Sequence, residues 1–153
     1  MRIGIIADTH GLLHSRIADV FGGVDQIVHA GDIGGAHVLQ ALREIAPVIS
    51  VDGNNDGAST GEEIRRFTLG DTRILLTHIL PRPHRMDARV RESLRKSPAD
   101  LVIFGHSHLP HDELVDGVRF FGKERAPKGA PASKPAGPPR STRPAWKPAA
   151  RPA

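Results

Sequence analysis

The stretch that decides the fold is "IGIIADTH", Ile3 to His10. An apolar run from Ile3 to Ala7 passes at once into Asp8 and His10. The run is too short for a stable helix and too continuously apolar for a half-exposed strand, so it reads as a strand covered on both faces. In open α/β sheets, ligands bind just beyond the carboxyl ends of such strands. A single D-x-H at a strand end is common and usually idle; the pattern gains meaning only by recurring.

It recurs along the chain. Gln26 to Ala30 runs into "HAGD" and Asp32, and Val48 to Val51 runs into "DGNND" and Asn54. Arg73 to Thr77 ends "LLTH" at His78, and Leu101 to Phe104 ends "FGHSH" at His106 and His108. Taken alone, G-D is usually a turn with a helix cap and G-N-N-D a loop. G-H-S-H is more specific, because histidines two apart share one face of an extended segment. Taken together, Asp8, His10, Asp32, Asn54, His78, His106 and His108 place a metal-binding side chain after every buried strand. Such a cluster without a function would leave its mutual charge uncompensated. His29, inside a strand, reads as a hydrogen-bonded residue either behind the ligands or in the core. His14, His37, His84 and His111 fall on expected helices or loops and read as solvated.

Between the strands, Leu13 to Phe21, Ala36 to Ile45 and Met86 to Lys96 have helical spacing. In the second, Val38, Leu39, Leu42 and Ile45 form one apolar stripe. Pro47 and Pro98 follow the second and third, where proline stops a helix without harm. "LGDT" before Ile74 and "VDGV" at Val115 to Val118 read as hairpin turns. This order predicts a layered α/β sandwich with mixed sheets.

The 153 residues include no cysteine, which excludes disulfides and thiolate metal sites. No apolar run approaches the ~20 residues of a membrane span, and a strand explains the N-terminal apolar stretch better than a signal peptide. A soluble cytoplasmic protein is expected. The formal charge of +4 belongs to the end of the chain: residues 123–153 hold eight Lys or Arg and one acid, Glu124. Removing these from 21 basic and 17 acidic residues leaves 13 against 16 in residues 1–122. Eight of the 13 prolines also lie in residues 123–153. Such a segment buries too little apolar area to offset its ordering entropy. The expected organisation is therefore one domain over 1–122 and a disordered tail over 123–153. The scattered Lys and Arg of that tail can add weak, nonspecific, salt-sensitive nucleic-acid contact, but its one aromatic, Trp146, offers little base stacking.

The ordered set D-x-H, G-D, G-N-x-D, a strand-ending His and G-H-S-H resembles the calcineurin-like metallophosphoesterase superfamily. The short chain is most similar to the small bacterial and archaeal phosphodiesterases, whose compact fold the retromer small subunit shares. The resemblance covers residues 1 to about 121. It implies a layered α/β/β/α sandwich of two mixed β-sheets with the metal site at the carboxyl ends of the strands. It also implies a binuclear centre: Asp8, His10 and His108 on one ion, Asn54, His78 and His106 on the other, and Asp32 bridging. Asp32, Asn54 and His78 are then the residues assigned to catalysis. Carboxylate, amide and imidazole ligands suit Mn²⁺, Fe²⁺ or Zn²⁺; Mn²⁺ is the expected ion, with Fe²⁺, Zn²⁺, Ni²⁺ or Mg²⁺ as alternatives. Two ions ~3.5–4 Å apart can generate a bridging hydroxide and clamp phosphoryl oxygens. The implied activity is phosphodiester hydrolysis on a nucleotide-like small molecule, with no membrane partner. A homo-oligomer is compatible with the sequence.

Three departures matter. Many members have histidine where this chain has Asn55, and that histidine can protonate the leaving oxygen. Its loss costs ~10²–10⁴-fold where the leaving group is poor, so activated diesters should be cleaved better than alkyl monoesters. Asp56, with no such histidine to orient, is expected to be structural. After His78 come Ile79, Leu80 and Pro81 in place of the usual glycine, which alters the pocket wall. The family also continues "FF" into an Asn-Pro-Gly-Ser turn, whereas here "FFGKERAPKG" follows. That abrupt change is what a frameshift would give, and an Asn-Pro-Gly-Ser segment in a neighbouring reading frame would settle it. A missing last strand would expose a sheet edge. The alternative reading is a scaffold that keeps the fold with little or no turnover.

Overall fold

A computed structural model describes residues 1–57, 61–80 and 88–122. Three expectations fall outside these residues: the tail from Lys123, the third helix's start at Met86, and His84.

Two sheets form. Strands β1 (Ile3–Ile6), β2 (Gln26–Ala30) and β3 (Val48–Val51) make a parallel sheet in that order. Helix α1 (Ile17–Val20) lies in the first link and α2 (Ala36–Arg43) in the second. The second sheet has order β4-β5-β6-β8-β7, built from β4 (Ile64–Leu69), β5 (Thr72–Thr77), β6 (Leu101–Phe104), β7 (His111–Val115) and β8 (Val118–Gly122). Helix α3 (Ala88–Lys96) links β5 to the parallel strand β6. The expected two-sheet sandwich is what the chain forms, and mixed strand direction is confined to the second sheet among the described residues. The links of the first sheet are crossovers, which keep strands parallel, whereas hairpins reverse β4–β5 and β7–β8.

Both hairpins fall where the sequence puts them. Asp116 and Gly117 have φ of 48° and 81°, the pair of positive values that a tight two-residue turn matching strand twist requires.

The alternation of side chains explains why the central strands are apolar throughout. Ile74, Leu76 and Ile103 point between the sheets, where they join Val28, Ala30 and Val51 in one core. Their neighbours Leu75, Val102 and Phe104 point the other way and pack with Val90 of α3. On the far side of the first sheet, Ile27 packs with Val38, Leu39 and Leu42 of α2. Helix, sheet, sheet and helix are thus stacked around three apolar layers.

The first helix is shorter than its spacing suggests, with only Ile17–Val20 helical and none of them buried. The ring nitrogen Nδ1 of His14 accepts the Arg16 backbone N–H at 3.2 Å. Such local side-chain bonding competes with helical turns. Leu13 and Ile17 still pack against the α2 core. Among the described residues no helix is long and apolar enough to cross a membrane.

Candidate metal centre

Parallel strands deliver their carboxyl ends to one edge, and both sheets do so on the same side. The loop after β1 lies on the loop after β2: Asp8 N–H donates to Gly31 O at 3.0 Å, and His10 N–H to Asp32 O at 2.9 Å. The second sheet closes on the first through Gly105. A Cβ there would lie 2.8 Å from Ala30 O and 2.9 Å from the Ala7 methyl, closer than side chains approach. Only glycine permits that contact.

The seven strand-end residues come together in two groups. Asp8, His10 and His108 offer ligand atoms within 4.8 Å of one another, and so do Asp32, His78 and His106. Asn54 joins the second group, with Oδ1 3.1 Å from His78 Nε2. Asp32 lies between them. Its Oδ1 is 3.4 Å from His78 Nε2 and its Oδ2 is 3.7 Å from His10 Nε2. The His10 and His108 rings are 6.4 Å apart and those of His78 and His106 5.2 Å.

The backbone at these residues is unusual. Among the described residues six non-glycine positions have positive φ, and five are Asp8, His10, Asp32, His106 and His108. Left-handed backbone costs roughly 1–2 kcal/mol per residue and gathers at functional sites.

Two features test whether these residues fit a cation. First, Ala30 O can only accept, so the 2.7 Å contact fixes the proton of His78 on Nδ1. In the neutral ring Nε2 then presents a lone pair to the oxygens of Asp32 and Asn54. Lone pairs converge in this way around a proton or a metal ion, not around nothing. Second, Asp8 Oδ1 is buried with no hydrogen-bond partner, while Oδ2 accepts the His106 N–H at 3.2 Å. An unpaired buried carboxylate oxygen is costly, and a divalent cation would satisfy it. The residues fit.

The surroundings fix the site's outline. Gly31 has φ of 83°, and a Cβ there would lie 2.7 Å from His78 Nδ1. A cavity beside Asn54 and His78 is lined by Glu63, Thr77, Ile79 and Val90 among others. Leu80 turns inward into the core under α3 while Ile79 stays partly exposed. That is how the chain accommodates its departure after His78.

Asp56 accepts the Gly34 and Gly53 N–H groups, each at 2.8 Å, and so ties the loop after β3 to the loop after β2. Burial pushes its pKa up, but the backbone donors of Gly53, Ile33 and Gly34 outweigh this, and the carboxyl titrates below its ordinary range. His29 is fully buried, as its place in a strand suggested. His111 departs from expectation. It opens β7, half-buried, with its ring 5.5 Å from Phe104 and Nε2 3.2 Å from Glu113.

Sequence reasoning missed the role of Asn55. Its backbone N–H donates to Asp32 Oδ1 at 3.0 Å and its side-chain Nδ2 to Asp32 Oδ2 at 2.7 Å. The two residues are 23 positions apart in different loops, and no local pattern links them.

The fold and site define a class, and comparison with known proteins places the chain in it. The calcineurin-like phosphoesterase superfamily domain matches residues 1–123. The chain belongs to that superfamily. It is 32% identical over 120 residues to a probable metallophosphoesterase of Methanocaldococcus jannaschii, with 72% of this chain and 60% of that one covered. The chain thus spans 60% of that relative's length. A single-site mutant of Vps29 from Entamoeba histolytica has the same fold, with a TM-score of 0.67 at 24% identity over 86% of this chain and 78% of the other. So does an archaeal phosphodiesterase, with a TM-score of 0.62 at 22% identity over 81% and 84%.

Proposed function

We propose that this chain is a metal-dependent phosphodiesterase that works through two divalent ions, Mn²⁺ foremost. The observation that carries the reading is the position of Asp32, with one oxygen toward each ligand group. Asp8, His10 and His108 would hold one ion, Asn54, His78 and His106 the other, and Asp32 would touch both. Such a pair supplies a hydroxide nucleophile from water at neutral pH and neutralises charge on the phosphoryl oxygens.

The protein's own groups do the rest. The Ala30 carbonyl keeps the His78 proton on Nδ1 and leaves Nε2 free to bind. Asn55 is no acid near neutral pH, so the leaving oxygen departs without a proton from that position. Diesters with good leaving groups should therefore outpace alkyl monoesters. The superfamily membership and the archaeal phosphodiesterase with the same fold support this reading. Residues 1–122 would be the catalytic domain, 123–153 a basic tail, and the cytoplasm the place of action.

The test is metal analysis of the purified protein with a Mn²⁺-supplemented panel of diesters and monoesters, wild type beside Asp32→Ala. The expected result is two ions in the wild type, with diester hydrolysis that Asp32→Ala abolishes. Equal activity in the two proteins overturns the mechanism. Two bound ions without turnover of any diester would instead establish the scaffold reading.

A further inference from the structure

We propose that Asn55 is a positioning residue: with Gly53 and Asp56 it forms a clamp that fixes the Asp32 carboxylate in the orientation that two ions can share. This rests on the two-ion reading above.

The chemistry of a shared carboxylate makes the need plain. A carboxylate that serves two ions must aim one oxygen at each, and rotation about its terminal torsion, which is broad in Asp, would spoil both contacts. The turn after β3 removes that freedom. The Asn55 backbone N–H takes Oδ1, and its side-chain amide takes Oδ2. Each oxygen of Asp32 therefore has its own donor on one side and a candidate ligand histidine on the other.

The turn itself is pressed against Asp32. A Cβ on Gly53 would lie 2.1 Å from Asp32 Oδ1 and 2.2 Å from Asp32 N, so only glycine lets the turn come this near. Asp56 then fastens the same turn to Gly34, two residues beyond Asp32. The two donors of Asn55 are delivered from a segment that cannot drift relative to its target.

This changes the meaning of the departure at Asn55. A side chain there can act toward the substrate or toward Asp32, and the amide faces Asp32. Groups that orient metal ligands by hydrogen bonding typically contribute ~10–100-fold to metal affinity. Proton donation is given up and a fixed bridge is gained.

The experiment titrates metal-free full-length protein with Mn²⁺ by calorimetry and records the electron paramagnetic resonance of the loaded protein, where two ions sharing a carboxylate give a spin-coupled signal. Wild type, Asn55→Ala, Asn55→Leu, Asn55→His and Asp32→Ala are compared. Asn55→Ala removes the amide, and Asn55→Leu keeps its bulk without a donor, so a folding failure in one leaves the other to be read. The expected result is a second ion bound ~10-fold or more weakly in both, with the coupled signal reduced at equal Mn²⁺. Asn55→His, which keeps an N–H donor, should recover part of the loss. Unchanged second-ion affinity and an unchanged coupled signal in Asn55→Ala and Asn55→Leu overturn the inference while leaving the two-ion reading intact. A wild type that binds fewer than two ions, or an Asp32→Ala that binds two as tightly, overturns that reading and this inference with it.

Discussion

His29 Nε2 lies 2.9 Å from the Thr9 hydroxyl, which donates its own proton to Ile33 O at 2.9 Å. The hydroxyl has one proton to give, so Nε2 must carry the proton between the two side chains. His29 Nδ1 is left buried without a partner. A second proton on this ring would be a buried, unpartnered charge. Burial accordingly lowers the His29 pKa from 6.5 to about 4; the carboxylates of Asp56 and Asp32 pull it upward, the His78 ring pushes it down, and burial prevails.

The unfolded chain therefore binds a proton at His29 between pH 6.5 and about 4, where the folded chain does not. Stability is full above pH 6.5 and falls as the pH drops to about 4, by about 3 kcal/mol in all. Urea unfolding of metal-free protein between pH 7.5 and 4.5 should show this decline, and His29→Gln should flatten it. Parallel curves for the two proteins would remove His29 from the explanation.

Asp56→Ala leaves the N–H groups of Gly34 and Gly53 without their acceptor. Each unpaired donor costs about 1 kcal/mol or more, so a loss of about 2 kcal/mol is expected. Asp56→Asn keeps one acceptor oxygen and should recover roughly half. Chemical denaturation of the three proteins at pH 7 decides it; equal midpoints for the two variants would show that hydrogen bonding is not the cause.

Gly31→Ala forces a Cβ to within 2.7 Å of His78 Nδ1, at a backbone φ of 83°. The ring must leave Ala30 O, and the Asp32–His78–His106 group is broken while Asp8, His10 and His108 keep theirs. The expected outcome is one bound ion against the two proposed for the wild type, measured by elemental analysis after desalting. Two tightly held ions in Gly31→Ala would show that the His78 ring does not need that carbonyl.

Metal removal should destabilise the protein beyond any loss of activity. The left-handed backbone at five of the seven candidate ligand positions and the unpaired Asp8 oxygen would be tolerated better with a cation to hold them. At 100 times its Kd, one bound ion adds roughly 2.7 kcal/mol. Thermal unfolding should shift down with EDTA and return with Mn²⁺, and Asp8→Ala should blunt the response. Superimposable wild-type melts with and without metal would rule this out.

How much of this was legible in the sequence depended on how local each cause is. Ile74 to Leu76 and Val102 to Phe104 read as strands because both faces are buried, which leaves a continuous apolar run. The polar residues that follow β1, β2, β3, β5 and β6 mark where the layers end, so all seven candidate ligands could be chosen before the sheets were seen. The length of α1 was not legible, because Leu13 and Ile17 pack as a helix would while the backbone between them does not follow. His111 was misplaced for a similar reason: its burial against Phe104 comes from a strand pairing, not from its neighbours in sequence. Asn55 was read only for what it lacks. Its target lies in another loop, and tertiary hydrogen bonds leave no periodic trace.

The origin of the candidate ligands within the two sheets has a mechanical side. Asp8 and His10 follow β1 while His108 follows β6; Asp32 follows β2 while His78 and His106 follow β5 and β6. Each group thus draws on both sheets, and each ion would act as a rivet through the sandwich at one end. Pulling the rivets should loosen the amides at that rim, such as those of Asp8 and Gly105, whose bonds to Gly31 and His78 hold the loops in place. The opposite end, where Arg73 is bonded to Asp100 and the Arg2 N–H to Asp25, carries none of the candidate ligands and should not register the change.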